Sequence, residues 1–247
     1  MTLSPARSVA LVTGGSRGIG AAISRRLAAD GHAVVINYAG RRDDAEALAA
    51  ELDAAGAQAI ALQADVADPQ AVYQLFNAIE ARFGGIDVVV NSAGVLQLAP
   101  LADTDDALFE RVIGINLKGA FNVLRESARR VRDGGRIVTL STSVVGTRLE
   151  NYSVYAASKS AVETMGAILS KELRGRNITV NAVAPGPTAT DLFLDGKSPE
   201  LIERLAKMNP LERLGTPEDI AGAVAFLVGA DGGWINGQVL RANGGMV

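Results

Sequence analysis

Short apolar runs alternate with longer amphipathic stretches along the whole chain. The runs rich in β-branched residues fall at 9–13, 33–37, 59–63, 86–91, 135–141, 178–184 and 238–241. They are continuous rather than alternating, which suits strands covered on both faces, as in a parallel sheet flanked by helices. Helical patterns occupy residues 19–30, 43–55, 69–83, 107–131, 153–174, 199–207 and 217–229. Ile19, Ile23 and Leu27 recur at i, i+4 and i+8 and mark one buried stripe. Pro69 and Pro217 suit a first helical turn, with Asp68 and Thr216 ahead of them as caps. Strands alternating with helices imply βαβ units. The expected fold class is α/β: a single doubly wound domain over residues 1–247, its seven-stranded, mostly parallel sheet covered by helices on both faces. One segment departs from the rhythm. Residues 185–210 carry four prolines around a short helical pattern and read as a substrate lid, at about residues 188–212.

Composition narrows the chemistry. The 247 residues include no Cys and one His, His32. A disulfide framework, a thiolate metal site and a Cys nucleophile are excluded, a His-rich zinc site is implausible, and no metal is expected. A Ser-His-Asp triad would have to use His32, which lies between a helix end and a strand. The net charge is −3 and basic residues are scattered, so no nucleic acid partner is expected. No apolar run is long enough to span a membrane, and the N-terminus lacks a signal-type segment. The expectation is a cytoplasmic protein with no membrane partner.

The first apolar run leads into Gly14-Gly15-Ser16-Arg17-Gly18-Ile19-Gly20 and then into a helical pattern. Glycines there allow a tight turn and a close approach of backbone N–H groups to a pyrophosphate at a helix N-terminus. The loop lacks the GK[ST] ending of a P-loop, so it points to a dinucleotide rather than a triphosphate. An acidic residue about 20 positions further on would bind the ribose 2′-OH of NAD. Asn37 and Tyr38 stand there instead, followed by Arg41 and Arg42. A carboxylate would repel a 2′-phosphate, whereas Arg17 with Arg41 or Arg42 would pair with it. The expected cofactor is NADP (NADPH).

Tyr155 and Lys159 share a helix face in Tyr155-Ala156-Ala157-Ser158-Lys159. A phenol loses its proton at about pH 10, and a neighbouring ammonium lowers that value. A shift of about 3 units would need roughly 4 kcal/mol and would suit the phenol to acid–base catalysis at neutral pH.

Together and in this order, these motifs resemble the short-chain dehydrogenase/reductase family, over essentially the whole chain, and most of all its 3-oxoacyl-(acyl-carrier-protein) reductases. Residues 13–20 resemble the family's cofactor loop, and Asn91-Ser92-Ala93-Gly94 its NNAG segment with Ser92 in place of the second Asn. Asp65-Val66 is similar to the pair that contacts adenine. Tyr155 and Lys159 match YxxxK, and Pro185, Gly186 and Thr190 match PGxxxT. The resemblance implies a Rossmann-like fold and a catalytic set of Asn116, Ser143, Tyr155 and Lys159. It also implies cofactor contacts from Gly14, Ser16, Arg17, Gly18, Ile19, Gly20, Asn37, Tyr38, Asp65, Val66, Asn91, Ala93, Gly94, Tyr155, Lys159, Pro185, Gly186, Thr188 and Thr190. The family's serine usually stands about 13 residues before the tyrosine. Here Ser141, Thr142 and Ser143 stand 14, 13 and 12 before it, and the Val144-Val145-Gly146 that follows favours Ser143.

The implied reaction is NADPH-dependent reduction of a ketone, a 3-oxoacyl thioester among the options. Tyr155 would give the proton, Ser143 would polarise the carbonyl, Lys159 would lower the Tyr155 pKa, and Asn116 would position a water. Two other readings are an NAD-dependent alcohol dehydrogenase working oxidatively and a non-catalytic NADP-binding sensor. Leu96, Leu192, Phe193 and Leu194 suggest an apolar pocket for a small-molecule carbonyl substrate. The family's habit implies a homotetramer or homodimer, with Ala161, Thr164, Met165, Ile168 and Leu169 as candidates for the partner face or for packing on the sheet.

Overall fold

In the computed structural model, which describes residues 7–247, all seven strands lie in one sheet of order β3-β2-β1-β4-β5-β6-β7, and every pairing is parallel. The strands are β1 (Val9–Thr13), β2 (Ala33–Tyr38), β3 (Gln58–Gln63), β4 (Ile86–Asn91), β5 (Val131–Leu140), β6 (Thr179–Pro185) and β7 (Val239–Ala242). Alternate residues of β1 serve opposite cores, which is why the run is apolar throughout. Ala10 and Val12 pack with Ile23 and Leu27 of α1 (Gly18–Ala29) and belong to the core that also holds Leu48 of α2 (Arg42–Ala54). Val9 and Leu11 share the other core with Val72, Phe76 and Ile79 of α3 (Pro69–Phe83).

Two expected elements are corrected. Residues 107–131 are not a single α-helix. α4 (Asp106–Val112) passes into a π-helical segment, Ile113–Gly119, before α5 (Ala120–Arg130). Such wide turns accompany functional sites, and this one carries Asn116. Val131 then opens β5, four residues before the expected start. The β4–β5 register shifts between Ile86 and Val88, where a side chain at Gly135 would come within 2.6 Å of the Asp87 carbonyl oxygen.

Beyond β5 come α6 (Val144–Thr147) and the long α7 (Ser153–Glu172). After β6 the chain makes the expected excursion through α8 (Asp191–Leu194) and α9 (Pro199–Ala206). A parallel bridge between Thr188 and Gly215 pinches its base. α10 (Pro217–Val228) follows, its start fixed by a reciprocal capping box between Thr216 and Asp219. Among the described residues no helix is long and apolar enough to cross a membrane.

The strand order reverses between β1 and β4. Loops leaving the carboxyl ends of these two strands diverge there and open a crevice, the position at which open α/β sheets bind ligands.

Candidate active site

A cleft of about 450 Å³ lies across those carboxyl ends. One end is walled by Gly14, Ser16, Arg17, Gly18, Ile19 and Gly20, together with Asn37, Tyr38, Arg41, Asp65 and Val66. Ala93, Gly94, Tyr155 and Lys159 line its middle, and Pro185, Gly186, Thr188 and Thr190 its far side. The structure thus gathers most of the expected residues. Asn116 and Asn91 stand behind the wall, and Arg42 is turned to Glu46 at 3.8 Å.

Close backbone approach shapes the first end. Gly14 has φ +60°, and a Cβ there would come within 2.9 Å of the Ala93 Cα; a Cβ on Gly20 would lie 2.1 Å from the Gly14 carbonyl oxygen. Only glycine lets α1 begin this close to the loop. Ser24 Oγ lies 3.0 Å from the Gly20 carbonyl oxygen and 3.2 Å from that of Gly15, so its one proton is held between them and fixes the turn. Thr13 Oγ1 donates to Asn91 Oδ1 and accepts from the Ser92 and Ala93 N–H groups, all at 3.1 Å. Sequence reasoning missed these roles of Thr13 and Ser24: the Thr13 contacts arise only once β1 and β4 are adjacent, and the Ser24 contacts only once α1 packs back on the loop. No side chain caps α1 and its first turn carries no acid, so the N–H groups of Gly18, Ile19 and Gly20 face the cleft without an internal anion.

The Asn37 amide is spent within the protein. Its side-chain Nδ2 donates to Ala64 O at 3.0 Å and Leu62 O at 3.3 Å, while the Asn37 main-chain carbonyl accepts from Gly15 N at 3.0 Å. Asn37 therefore ties the glycine loop to the end of β3. Asp65 and Val66 follow that end, and Val66 O is held by Asn122 of α5 at 2.9 Å.

Asn116 is 1 % exposed, and its amide clamps the loop after β4: Val95 N donates to Oδ1 at 2.8 Å and Nδ2 donates to Val95 O at 2.9 Å. A Cβ on Gly94 would meet Asn116 Oδ1 at 3.3 Å and Lys159 Nζ at 3.4 Å, so the three converge. Lys159, 6 % exposed, donates from Nζ to the Leu140 carbonyl at 2.8 Å.

The electrostatics of the pair differ from the expectation. Lys159 Nζ lies 6.0 Å from the centroid of the Tyr155 ring. Burial is the dominant influence on the phenol and pushes it up to about 12, with a hydrogen bond to the Thr142 side chain pulling the other way. Burial likewise brings the Lys159 ammonium down to about 8. Burial thus sets the direction of both shifts, with Lys159 Nζ held at the Leu140 carbonyl. Tyr155 is therefore protonated throughout the physiological range.

Ser143 is 2 % exposed and donates from Oγ to Ala184 O at 3.2 Å. Ser141 donates to Glu163 on α7. The far end of the cleft is apolar: Val95, Leu96, Val144, Leu149, Leu192, Phe193, Leu205 and Met246, beside Tyr152, whose ring meets that of Tyr155 edge-on at 6.2 Å. Arg111 and Asp191 are its charged members.

The family model described as Enoyl-(Acyl carrier protein) reductase matches residues 14–247. A short-chain type dehydrogenase/reductase of Picea abies is 47 % identical, over 97 % of this chain and 92 % of its own. An NADPH-dependent aldehyde reductase-like protein, chloroplastic, of Arabidopsis thaliana is 44 % identical, over 97 % and 94 %. Among solved structures, a short chain dehydrogenase from Burkholderia cenocepacia J2315 in complex with NADP superposes with a TM-score of 0.91 at 39 % identity, covering 98 % of this chain and 99 % of that one.

Proposed function

Given that the chain belongs to the short-chain dehydrogenase/reductase family, we propose that it is an NADPH-dependent reductase of apolar carbonyl compounds, ketones and aldehydes, with Tyr155 as the proton donor. The observation that carries this reading is one continuous cleft with an anion-ready helix N-terminus and two arginines at one end, and Tyr155 beside an apolar chamber at the other.

The donor set fits a 2′-phosphorylated dinucleotide. The Gly14–Gly20 cradle, which a Cβ would fill, and the uncapped α1 N-terminus suit a pyrophosphate. Arg17 and Arg41 line the cleft with Asn37, which holds the place of the acidic ribose ligand, and a 2′-phosphate suits them; Arg41 also meets Asp44 at 3.5 Å in an exposed pair. The names of relatives and of the NADP-bound neighbour support the same choice. The oxidative NAD reading lacks its acidic ribose ligand, since Asn37 occupies that position with its amide engaged.

When bound, NADPH supplies the hydride that reduces the carbonyl carbon. Tyr155 holds its proton and delivers it from the hydroxyl to the carbonyl oxygen. A developing alkoxide is more basic than a phenolate, so this transfer runs downhill even from a phenol held near 12. The Lys159 ammonium then balances the phenolate. Asn116 acts as a positioning residue by fixing Val95 at the cleft wall. A hydroxyl at the end of β5 polarises the carbonyl. The excursion over residues 188–212 serves as the lid, its Leu192, Phe193 and Leu205 excluding water from the chamber. Exposed Phe109, Phe121 and Ile168 on α4, α5 and α7 support assembly as a homotetramer or homodimer.

The test is consumption of NADPH across a panel of apolar aldehydes and ketones, 3-oxoacyl thioesters included. Turnover is expected, and Tyr155→Phe is expected to cut it by at least about 10²-fold while still binding NADPH. Failure of the whole panel, or tighter binding of NADH than of NADPH, overturns the proposal.

A further inference from the structure

Ser143 lines the cleft, and its hydroxyl is held by two bonds that run in opposite directions. Its backbone N–H donates to Pro185 O at 2.8 Å, which seats the residue beside the end of β6. Its hydroxyl proton rests on Ala184 O at 3.2 Å, long for an O–H···O bond and therefore easily given up. The same Oγ faces Nδ2 of Asn243 at 2.9 Å, a buried contact between residues 100 positions apart in the chain.

Asn243 follows β7 and opens a turn through Gly244 and Gly245, both at positive φ. Its Oδ1 accepts from the Gly245 and Met246 N–H groups at 3.0 and 3.2 Å. Backbone N–H groups can only donate, so the amide oxygen must face the turn and the NH2 group must face Ser143. The NH2 protons then go to Ser143 Oγ and to Val247 O, the latter at 3.2 Å. Asn243 is thus a donor to the serine and not an acceptor from it. The Ser143 proton stays available, and a hydroxyl that accepts a hydrogen bond becomes a stronger donor in turn. The approach needs a glycine opposite: a Cβ on Gly186 would lie 2.9 Å from both Cα and Cβ of Asn243. Met246 itself lines the apolar chamber, so one amide fixes both a chamber wall and the hydroxyl beside it.

We infer that Asn243 is a positioning residue for the reduction: its amide holds the Ser143 oxygen, leaves the serine proton free and strengthens it as a donor to the substrate carbonyl. The inference rests on the carbonyl-reductase reading, with Ser143 as the polarising hydroxyl. When a carbonyl oxygen enters the cleft, the Ser143 proton turns to it from Ala184 O. That proton is shared and retained, and the proton transferred is that of Tyr155. Asn243 touches neither substrate nor dinucleotide in this scheme and acts only through the serine.

A double-mutant cycle of Ser143→Ala and Asn243→Ala tests it, with kcat and KM measured on the fastest carbonyl compound of the panel. Asn243→Ala is expected to lower kcat by about five- to tenfold, the worth of one hydrogen bond. The carbonyl KM should change by less than about twofold, because the bond acts in the transition state. In the Ser143→Ala background the same replacement should cost less than about twofold in kcat, since the group it works through is gone. A bracing role alone would cost kcat by the same factor in both backgrounds. NADPH binding, followed by fluorescence titration, should hold steady. Should Asn243→Ala fail to fold, Asn243→Ser takes its place in the cycle with the same expectation. Its hydroxyl still accepts from the N–H two residues on but is too short to span to Ser143. The assignment is overturned if the Asn243 variant keeps kcat within about twofold of the parent, or loses as much in the Ser143→Ala background. If the parent reduces no carbonyl, both readings fall. If the parent turns over and Ser143→Ala is impaired while Asn243→Ala is not, only Asn243 is misassigned.

Discussion

Lys159 is the residue whose charge depends most on its surroundings. Its folded value of about 8 lies below the ordinary 10.5, because burial disfavours the ammonium. Between those values the unfolded chain binds the extra proton, so this group makes stability rise with pH across that window. Under the proposed mechanism, in which the ammonium balances a nascent phenolate, activity moves the opposite way. The kcat/KM profile is therefore expected to fall on its basic side near pH 8, well before Tyr155 ionises near 12, and Lys159→Arg should move that limb upward. Arg17 and Arg41 make a second residue-scale prediction. Replacing either with Ala should weaken NADPH binding by about tenfold, equivalent to about 1.4 kcal/mol, and leave NADH binding nearly unchanged. Isothermal titration with both cofactors checks it. The Tyr155–Lys159 pair was legible from its spacing. Its electrostatics were not, since they come from burial by elements distant in sequence, among them the β5 backbone whose Leu140 carbonyl holds Lys159 Nζ.

At the scale of the element, the π-helical segment is the feature that shapes the site. It sets Asn116 against the backbone of Val95, two hydrogen bonds that restrain the loop following β4. Asn116→Ala removes both partners of a buried backbone pair, so a loss of roughly 1–3 kcal/mol in urea unfolding is expected. Faster hydrogen exchange at the Val95 amide should accompany it. The sequence showed that Asn116 lies in a helix. It did not show the wide turn, because residues 113–119 keep an ordinary helical composition and their key partner is a backbone group 21 positions away. The early start of β5 was hidden for a related reason: Arg132, Asp133 and Gly134 are polar or flexible and break the apolar run that marks the strand.

At the scale of the whole molecule, the continuous apolar runs were enough to read a parallel sheet covered on both faces, because each such strand must feed two cores. The outer surface was less legible. Leu169 is buried and Met165 packs against the core, whereas Ile168 on the same helix is 51 % exposed, alongside Phe109 and Phe121 on neighbouring helices. Periodicity alone could not separate a face covered by the sheet from one left exposed. A homo-oligomer is expected by light scattering at micromolar concentration, and Phe121→Glu should lower its mass.

Gly18 opens α1, and its open side faces Thr190, with an added Cβ coming 3.4 Å from that methyl group. Thr190 in turn caps α8, the first turn of the excursion. The glycine loop and the root of the excursion over residues 188–212 are thus neighbours. Under the proposed function this closeness predicts an order of traffic: the dinucleotide enters first, the carbonyl compound second, and the alcohol departs before the spent dinucleotide. Product-inhibition kinetics should show NADP competing with NADPH alone, and the slowest step of a fast substrate should be the escape of NADP from beneath the lid.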